Sequence, residues 1–245
     1  YMDTEILGAT VRTEIGRPAN LFYGYKAQGV FSTSAEAQAA GLYIHDDNGV
    51  DRTAFEAGDM HFADLDGDHF ITEADRMVIG DPNPDIYGNI FTSVQYRRLR
   101  LDVRFNYSLG NDIYNYTRQQ LESGSRFMNQ TTALARRWQM EGQQTDIPRL
   151  SFQDPMGNSR FSDRWIEDGS YLRLKTVTLS YDLPVSSTFL QGLQFWVQAN
   201  NVVTLTRYLG SDPEGTALSA VLGQGIDAGS LPQSRNFMVG IKINL

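Results

Sequence analysis

The sequence of 245 residues contains no cysteine. This absence excludes a disulfide scaffold, a thiol nucleophile and thiolate metal ligands, although it identifies no cellular compartment. The sequence also lacks any run near the roughly 20 consecutive apolar residues that a membrane-spanning helix needs. A membrane location stays open all the same, because a spanning β-strand alternates apolar with polar residues and has ordinary mean hydropathy.

Basic charge is scarce, since 21 Lys and Arg stand against 29 Asp and Glu and the formal net charge is -8. A field of this sign repels phosphates and no basic stripe overrides it, so we expect no nucleic-acid partner. The sequence has no G-x-S-x-G motif and no Walker loop, and we expect neither catalytic residues nor an enzyme. The chain opens without a charged and then apolar leader, so we expect further sequence upstream.

Two segments alternate strictly between apolar and polar residues, which is typical of β-strands with one apolar and one polar face. They are 99–107 and 237–245. In the first segment, the apolar set is Leu99, Leu101, Val103, Phe105 and Tyr107. In the second, the apolar set is Phe237, Val239, Ile241, Ile243 and Leu245. Such strands occur in a soluble sandwich, with the apolar face inward, or in an outer-membrane barrel, with that face toward lipid.

Weaker alternation predicts four more strands, at 5–16, 89–96, 170–183 and 193–205. Arg97 and Arg98 would join 89–96 to 99–107 in a tight hairpin. The first half of 170–183 carries Arg173 and Lys175 on its apolar side, and we expect it to be solvated.

The connections alternate between long and short. The long ones are 17–88, 108–168 and 206–234. Within them we expect short helices at 34–40, started by Ser34 as N-cap, and near 113–121 and 131–140. Long loops on one rim and short turns on the other are typical of bacterial outer-membrane barrels, whose long loops are extracellular and whose C-terminus is periplasmic. We therefore predict an all-β, antiparallel, multi-pass transmembrane barrel segment of about six strands, which is part of a larger barrel.

Several segments resemble the C-terminal part of the SusC/RagA family of TonB-dependent outer-membrane transporters. The segments are 21–31 (LFYGYKAQGVF), 64–76 (DLDGDHFITEADR), 79–88 (IGDPNPDIYG), 109–115 (LGNDIYN), 165–184 (WIEDGSYLRLKTVTLSYDLP), 199–208 (ANNVVTLTRY) and 212–214 (DPE). The resemblance implies a barrel of about 22 strands with an N-terminal plug domain. It also implies a SusD-like surface lipoprotein as lid. One departure is Leu245 at the end, where such barrels usually have an aromatic residue.

The acidic stretch 64–75 fits the spacing of a calcium-binding loop. Asp64, Asp66, Asp68, Thr72 and Asp75 take positions 1, 3, 5, 9 and 12, and Phe70 would offer its backbone carbonyl at position 7. Two positions differ from the calcium-loop pattern. Position 6 is His69 instead of glycine, and position 12 is Asp instead of Glu. The alternatives are therefore a structural Ca²⁺ site, in the manner of a dockerin half-hand, and a solvated acidic turn.

We interpret the chain as part of an outer-membrane importer of oligosaccharides or oligopeptides, driven through the TonB system. The expected partners are the rest of the barrel, its plug, the SusD-like lid and outer-membrane lipid. No substrate-binding residue can be assigned from the sequence. The competing hypothesis is an extracellular, calcium-dependent β-sandwich that acts in binding or adhesion.

Overall fold

The computed structural model describes residues 1–45, 51–185, 189–215 and 223–244. The protein is mostly β-structure and forms two compact units. The first unit comprises Tyr1–Asn83, Asp112–Glu167 and Thr216–Gly229. The second unit comprises Pro84–Asn111, Asp168–Gly215 and Ser230–Leu245. Among the described residues, no helix has the length and apolar character to cross a membrane.

The helices and strands are numbered in chain order. The strands are β1 (Met2–Ile6), β2 (Ala9–Thr13), β3 (Leu21–Tyr25), β4 (Ala27–Val30), β5 (Tyr43–His45), β6 (Arg52–Ala54), β7 (Met60–Phe62), β8 (Arg76–Gly80), β9 (Ile86–Tyr96), β10 (Leu99–Leu109), β11 (Asp112–Asn115), β12 (Ile166–Asp168), β13 (Tyr171–Leu183), β14 (Gly192–Thr206), β15 (Ile226–Asp227) and β16 (Asn236–Asn244). The α-helices are α1 (Ser34–Ala40) and α2 (Tyr116–Glu122), and short 3₁₀ turns span Glu73–Asp75, Thr132–Arg136 and Asp163–Trp165.

The second unit contains one antiparallel sheet in the order β16-β14-β13-β10-β9. Its strands agree with five of the predicted segments, namely 89–96, 99–107, 170–183, 193–205 and 237–245. The last residue of the fifth segment, Leu245, lies outside the described residues. The predicted hairpin between β9 and β10 is present, since Tyr96 pairs with Leu99 and two residues join the strands. Alternation identified these strands, strictly in β10 and β16 and more weakly in the other three, because each keeps one mostly apolar face.

The first unit contains a four-stranded sheet, β1-β2-β3-β8, and three smaller sheets. Its apolar side chains form two clusters. One packs around Phe31, Phe55 and Phe62, and the other around Phe22, Tyr114 and Trp165. The rings in the second cluster meet edge to face, as in the pair Tyr114 and Phe161, whose centroids are 4.9 Å apart. Such arrangements are the favoured geometry of aromatic pairs in a packed core.

The prediction of a single strand at 5–16 is wrong, because the segment is a hairpin of β1 and β2. Leu7 and Gly8 have φ angles of 52° and 78°. Two successive positive φ angles are what a two-residue type I′ turn requires. The hairpin also belongs to a sheet of the first unit. Of the about six strands predicted for one sheet, five therefore pair with one another among the described residues.

The long segments 17–88 and 108–168 hold more structure than the sequence predicted. The described part of segment 17–88 contains six strands and the predicted helix at 34–40, whose N-cap is Thr33 instead of Ser34. Thr33 and Glu36 form a reciprocal capping box, which satisfies N–H groups that begin the helix. The predicted helix at 113–121 begins later than expected. Its first residues belong to β11, which pairs in parallel with β15. The predicted helix at 131–140 is a short 3₁₀ turn. Segment 206–234 contains residues 216–222, which lie outside the described ranges.

Candidate functional site: an acidic loop and a two-faced sheet

The acidic loop lies between β7 and β8 in the first unit. Asp64, Asp66 and Asp68 each place a carboxylate oxygen so that the three atoms lie within 4.8 Å of one another. Asp64 is half-buried and the other two are exposed. The structure therefore brings together three of the six predicted ligands.

Backbone N–H groups hold each of these carboxylates in place. Asp64 accepts from Gly67 at 2.8 Å and from His69 at 3.0 Å. Each of the other two carboxylates accepts from the N–H two residues ahead, at 3.2 and 2.7 Å. These bonds fold the loop tightly around its own acidic side chains.

The three charges act on one another. At Asp66, a backbone hydrogen bond from Asp68 lowers the pKa, but desolvation and the charges of Asp68, Asp75 and Asp64 outweigh it, so the pKa is raised. At Asp64, desolvation raises the pKa, but the N–H donors of Gly67 and His69 outweigh it, so the pKa is lowered. The loop thus holds like charges together, and a bound cation would neutralise them.

His69 occupies the position at which a calcium loop usually has glycine. Its φ angle is 68°, in the left-handed region that glycine adopts most readily. The feature that the sequence counted against the match therefore does not prevent the turn. The ring of the next residue, Phe70, stacks on His45 with centroids 4.3 Å apart, which packs this side of the loop against β5.

Asp75 and Thr72 form hydrogen bonds of their own within the loop. The Asp75 side chain is fully buried, and its two oxygens accept from the N–H groups of Leu65 at 2.8 Å and Thr72 at 2.7 Å. Thr72 caps the 3₁₀ turn that contains Asp75, in a reciprocal capping box. In this structure both residues therefore stabilise the loop through hydrogen bonds to its backbone.

The sheet of the second unit has two chemically different faces. On one face, Leu101, Leu179, Val197 and Val239 lie side by side on four neighbouring strands. Their exposed fractions are 38%, 39%, 46% and 77%. An apolar row with this much exposure is unusual for a face that packs on a core, and contiguous exposed apolar patches mark interaction or membrane surfaces.

The opposite face is polar. Its side chains alternate with the apolar ones, and Arg104, Thr176, Asn200 and Asn236 form one cross-strand row. Arg100 and Asp102 form an ion pair at 3.0 Å on the same face. A shallow cavity of about 330 Å³ lies there as well.

Sequence reasoning missed a buried ion cluster in the second unit. Arg173, on β13, is only 3% exposed, so the expectation that this part of the strand is solvated is wrong. Its guanidinium bonds to Asp212 at 2.5 Å and to Glu214 at 2.6 Å. Lys175 lies 3.2 Å from the Glu214 carboxylate. The signal was present in the sequence as two basic residues on an apolar face and an Asp-Pro-Glu motif 39 residues later.

The cluster also sets the ionisation of Asp212. Burial raises the pKa of this carboxyl, but the hydrogen bond from Arg173 and the N–H groups of Gln233 and Glu214 outweigh burial, so the pKa is lowered. Gln233 donates its N–H to Asp212 at 2.9 Å. The carboxylate thereby links β13 to both ends of the segment that follows β14.

No protein-family model matches the sequence. The chain is similar to two curated proteins of Formosa agariphila (strain DSM 15362). It is 32% identical to TonB-dependent receptor P3 over 236 residues, which is 93% of this chain and 22% of the relative. It is 28% identical to TonB-dependent receptor P26 over 247 residues, which is 98% of this chain and 24% of the relative.

Solved structures of the RagAB peptide importer share the fold. The structure in the closed-closed state has a TM-score of 0.69 and 25% identity, and it covers 99% of this chain and 24% of that chain. The structure in the open-open state has a TM-score of 0.67, also with 25% identity. The chain thus spans about a quarter of the length of the relatives it matches.

Proposed function

From the homology of this chain to part of the TonB-dependent receptors, we propose that the whole protein is an outer-membrane importer driven by a TonB system. The resemblance to the SusC/RagA family that the sequence carries agrees with the receptor names of the relatives and with the RagAB fold. The proposed activity is transport without bond chemistry, so we assign no catalytic residue.

The exposed apolar face of the second unit is the observation that carries this proposal. A soluble sandwich covers such a face with a second sheet, whereas an outer-membrane barrel turns it to lipid and keeps the other face polar. We propose that the five strands, from β9 to β16, are part of a barrel that the rest of the protein completes. Val239, at 77% exposure, then contacts lipid.

The strand connections support an orientation. The short β9–β10 turn lies at one end of the sheet, with the start of β14 and the end of β16, and the segments 110–170 and 207–235 leave from the other end. In outer-membrane barrels, the longer loops are extracellular. We propose that these segments are extracellular, that the chain crosses the membrane several times, and that its C-terminus is periplasmic.

The proposed partners are a plug domain, a SusD-like surface lipoprotein that closes the extracellular mouth, and the TonB system. The proposed substrate class is an oligosaccharide or an oligopeptide. Support for a peptide substrate comes from the neighbouring structures, which are named as the RagAB peptide importer.

Uptake by intact cells tests the importer. Cells that produce the full-length receptor should accumulate fluorescent oligosaccharides or oligopeptides, and deletion of TonB should abolish accumulation while the receptor stays in the outer membrane. Cells without the receptor provide the baseline. Accumulation that is the same with and without TonB would reject the energy-coupled mechanism.

We expect residues 1–245 to aggregate when produced alone. Within the described residues, β9 and β16 are the edges of the sheet and each pairs with one neighbour. Open edges and an uncovered apolar face promote association between chains. Size-exclusion chromatography in detergent-free buffer measures this. A monodisperse monomer with a cooperative thermal transition would instead favour the alternative, an extracellular calcium-dependent β-sandwich.

We further propose that Asp64, Asp66 and Asp68 hold one structural Ca²⁺, with Phe70 and Thr72 completing the site and Asp75 closing it. Calcium takes six to eight oxygen ligands, and carboxylates at this spacing suit it. Extracellular modules bind calcium at about 10⁻⁴–10⁻³ M, so a weak site would be filled outside the cell. Closure by Asp75 requires its side chain to turn from its present N–H donors toward the cluster.

Replacing Asp66 and Asp68 by Ala should abolish calcium binding to the full receptor and weaken its association with the lid lipoprotein, because the loop would lose its cation. Calorimetry with and without a chelator measures both effects. Glu73→Gln is the matched control, since Glu73 lies nearby but pairs with Arg76. If the receptor binds no calcium at the loop and chelation leaves lid affinity unchanged, the loop is a solvated turn.

A further inference from the structure

A polar groove lies in the first unit, away from the acidic loop. It consists of two adjoining cavities of about 430 and 560 Å³. The residues Ser125, Arg126 and Ser159 line both cavities. The walls come from the β1–β2 turn, α2 with the residues that follow it, and the segment 152–160. A groove of this size accommodates several units of an oligomeric ligand.

One wall of the groove is held in an unusual backbone conformation. Gln153 and Asp154 have φ angles of 65° and 52°, which non-glycine residues adopt rarely. The Asp154 carboxylate fixes this conformation by accepting from the N–H groups of Asn158 at 2.7 Å and Ser159 at 2.8 Å. The Gln153 N–H also donates to the Ser125 carbonyl at 2.9 Å. The wall is thus fixed before any ligand arrives, which lowers the entropic cost of binding.

The groove presents polar groups that lack a partner within the protein. Among the described residues, the Arg126 guanidinium forms no hydrogen bond and no ion pair. The side-chain amide of Gln120 and the hydroxyl of Tyr116 also form no hydrogen bond to any described residue. These three side chains line the smaller cavity. Arg160, in contrast, donates to the backbone carbonyls of Gly157 and Met156 and so stabilises the local fold. The smaller cavity is therefore lined by these three polar groups, and Arg126 is the cation among them.

An exposed aromatic pair adjoins the larger cavity. Phe127 is 94% exposed and Phe152 is 60% exposed, and their ring centroids are 5.0 Å apart. Phe152 lines the cavity, and Phe127 follows Arg126 directly in the chain. Two apolar rings beside a free guanidinium offer a ring face for stacking and a charge for pairing on the same ligand.

We propose that this groove binds an acidic oligosaccharide, with Arg126 pairing with a carboxylate or sulfate and Phe127 and Phe152 contacting the sugar rings. The side-chain amide and hydroxyl of Gln120 and Tyr116 match ring hydroxyl groups, which both donate and accept hydrogen bonds. Peptides that bind by strand addition need an open strand edge, and these walls consist of a helix, a turn and a loop; an acidic peptide is therefore the comparison probe. This inference rests on the proposed import function and narrows its substrate class.

Calorimetry on the full-length receptor in detergent tests the groove. The probes are oligogalacturonate and a sulfated carrageenan oligosaccharide, with neutral maltohexaose and hexaglutamate for comparison. At least one acidic saccharide should bind more tightly than both comparison probes. Arg126→Gln should weaken that binding about tenfold or more, as expected for a lost charge-assisted hydrogen bond. Phe127→Ser with Phe152→Ser should also weaken it.

Arg136→Gln is the matched control, because Arg136 is an exposed arginine of the same unit, outside the groove and also without a side-chain partner among the described residues. It should leave affinity unchanged. Preferential binding of hexaglutamate, no binding of either acidic saccharide, or equal affinity in Arg126→Gln would each overturn the proposal. If one of these results is obtained but uptake still depends on TonB, the groove proposal is wrong and the proposed import function is retained.

Discussion

Val239→Arg should prevent the full-length receptor from assembling in the outer membrane. Val239 pairs with Val197 in the exposed apolar row of the sheet. Arginine at the lipid face of a barrel costs about 2–4 kcal/mol near the membrane midplane, which is a large part of the net stability of a typical domain. The measurement is the amount of heat-modifiable, folded receptor in the outer-membrane fraction. Ile241→Arg and Val103→Arg should act in the same way.

Lys242→Gln and Arg104→Gln are the matched controls, because both side chains lie on the polar face of the same sheet and are exposed. They should assemble normally. Cysteine labelling then tests the direction of each face independently of stability. The lipid-facing set predicted from the alternation is Leu101, Val103, Phe105, Val239, Ile241 and Ile243. A water-soluble thiol reagent that modifies Val103→Cys and Ile241→Cys but spares Arg104→Cys and Lys242→Cys would invert the faces and reject the membrane placement.

The strands of the second unit were predictable from the sequence because each runs for nine to fifteen residues and alternates over most of that length, with register shifts only after Arg104 and Leu174. A period of two over that length has no competing helical interpretation. The failure at 5–16 has a local cause. Leu7 adopts a left-handed conformation, which leucine rarely does, so only Gly8 signalled the turn.

Most strands of the first unit could not be predicted from the sequence, because they pair with segments that are distant in the chain. The sequence predicts a helix from residue 113, where the structure has β11, and Tyr114 pairs with Ile226 across more than a hundred residues. Strands such as β5, β6 and β7 have only three residues each, which is too short for any periodicity to appear. Tertiary packing decides the structure of such segments, and local propensity does not.

The acidic loop was predictable in part. The spacing of Asp64, Asp66 and Asp68 identified three groups that the structure brings together. The burial of Asp75 and its bonds to the backbone could not be read from spacing, because they depend on how the 3₁₀ turn folds back on Leu65. Arg173 shows the same limit. A charge on an apolar face indicates either solvent or a partner, and its partner Asp212 lies 39 residues away.

Asp212→Asn should release the segment that follows β14 from the sheet. The substitution removes one of the two carboxylate partners of the buried Arg173 guanidinium and leaves Glu214, so the cost should lie below the value of about 3–5 kcal/mol for a buried charge left unpaired. Hydrogen exchange of residues 207–215 in the full-length receptor measures the release. Asp182→Asn is the matched control. Asp182 lies on the same strand as Arg173 but is exposed, and among the described residues its carboxylate accepts one side-chain hydrogen bond, from Gln194 at 2.8 Å. Equal exchange in the two variants would contradict a stabilising role for the cluster.

The acid dependence of this contact follows from the lowered pKa of Asp212. A carboxyl whose pKa is lower in the folded state stabilises the fold fully above its unfolded pKa, which is about 4. That stabilisation is lost as the pH falls through the folded value. Exchange of residues 207–215 should therefore stay constant, after correction for the intrinsic rate, between pH 5 and 8, and protection should fall only in more acidic solution. The Arg173→Met and Asp212→Leu double variant removes this ion pair and leaves Glu214 with Lys175, so its protection should fall less in acidic solution than that of the unmodified receptor. A loss of protection near neutral pH in the unmodified receptor would show that some other group holds the segment, because Asp212 stays ionised there.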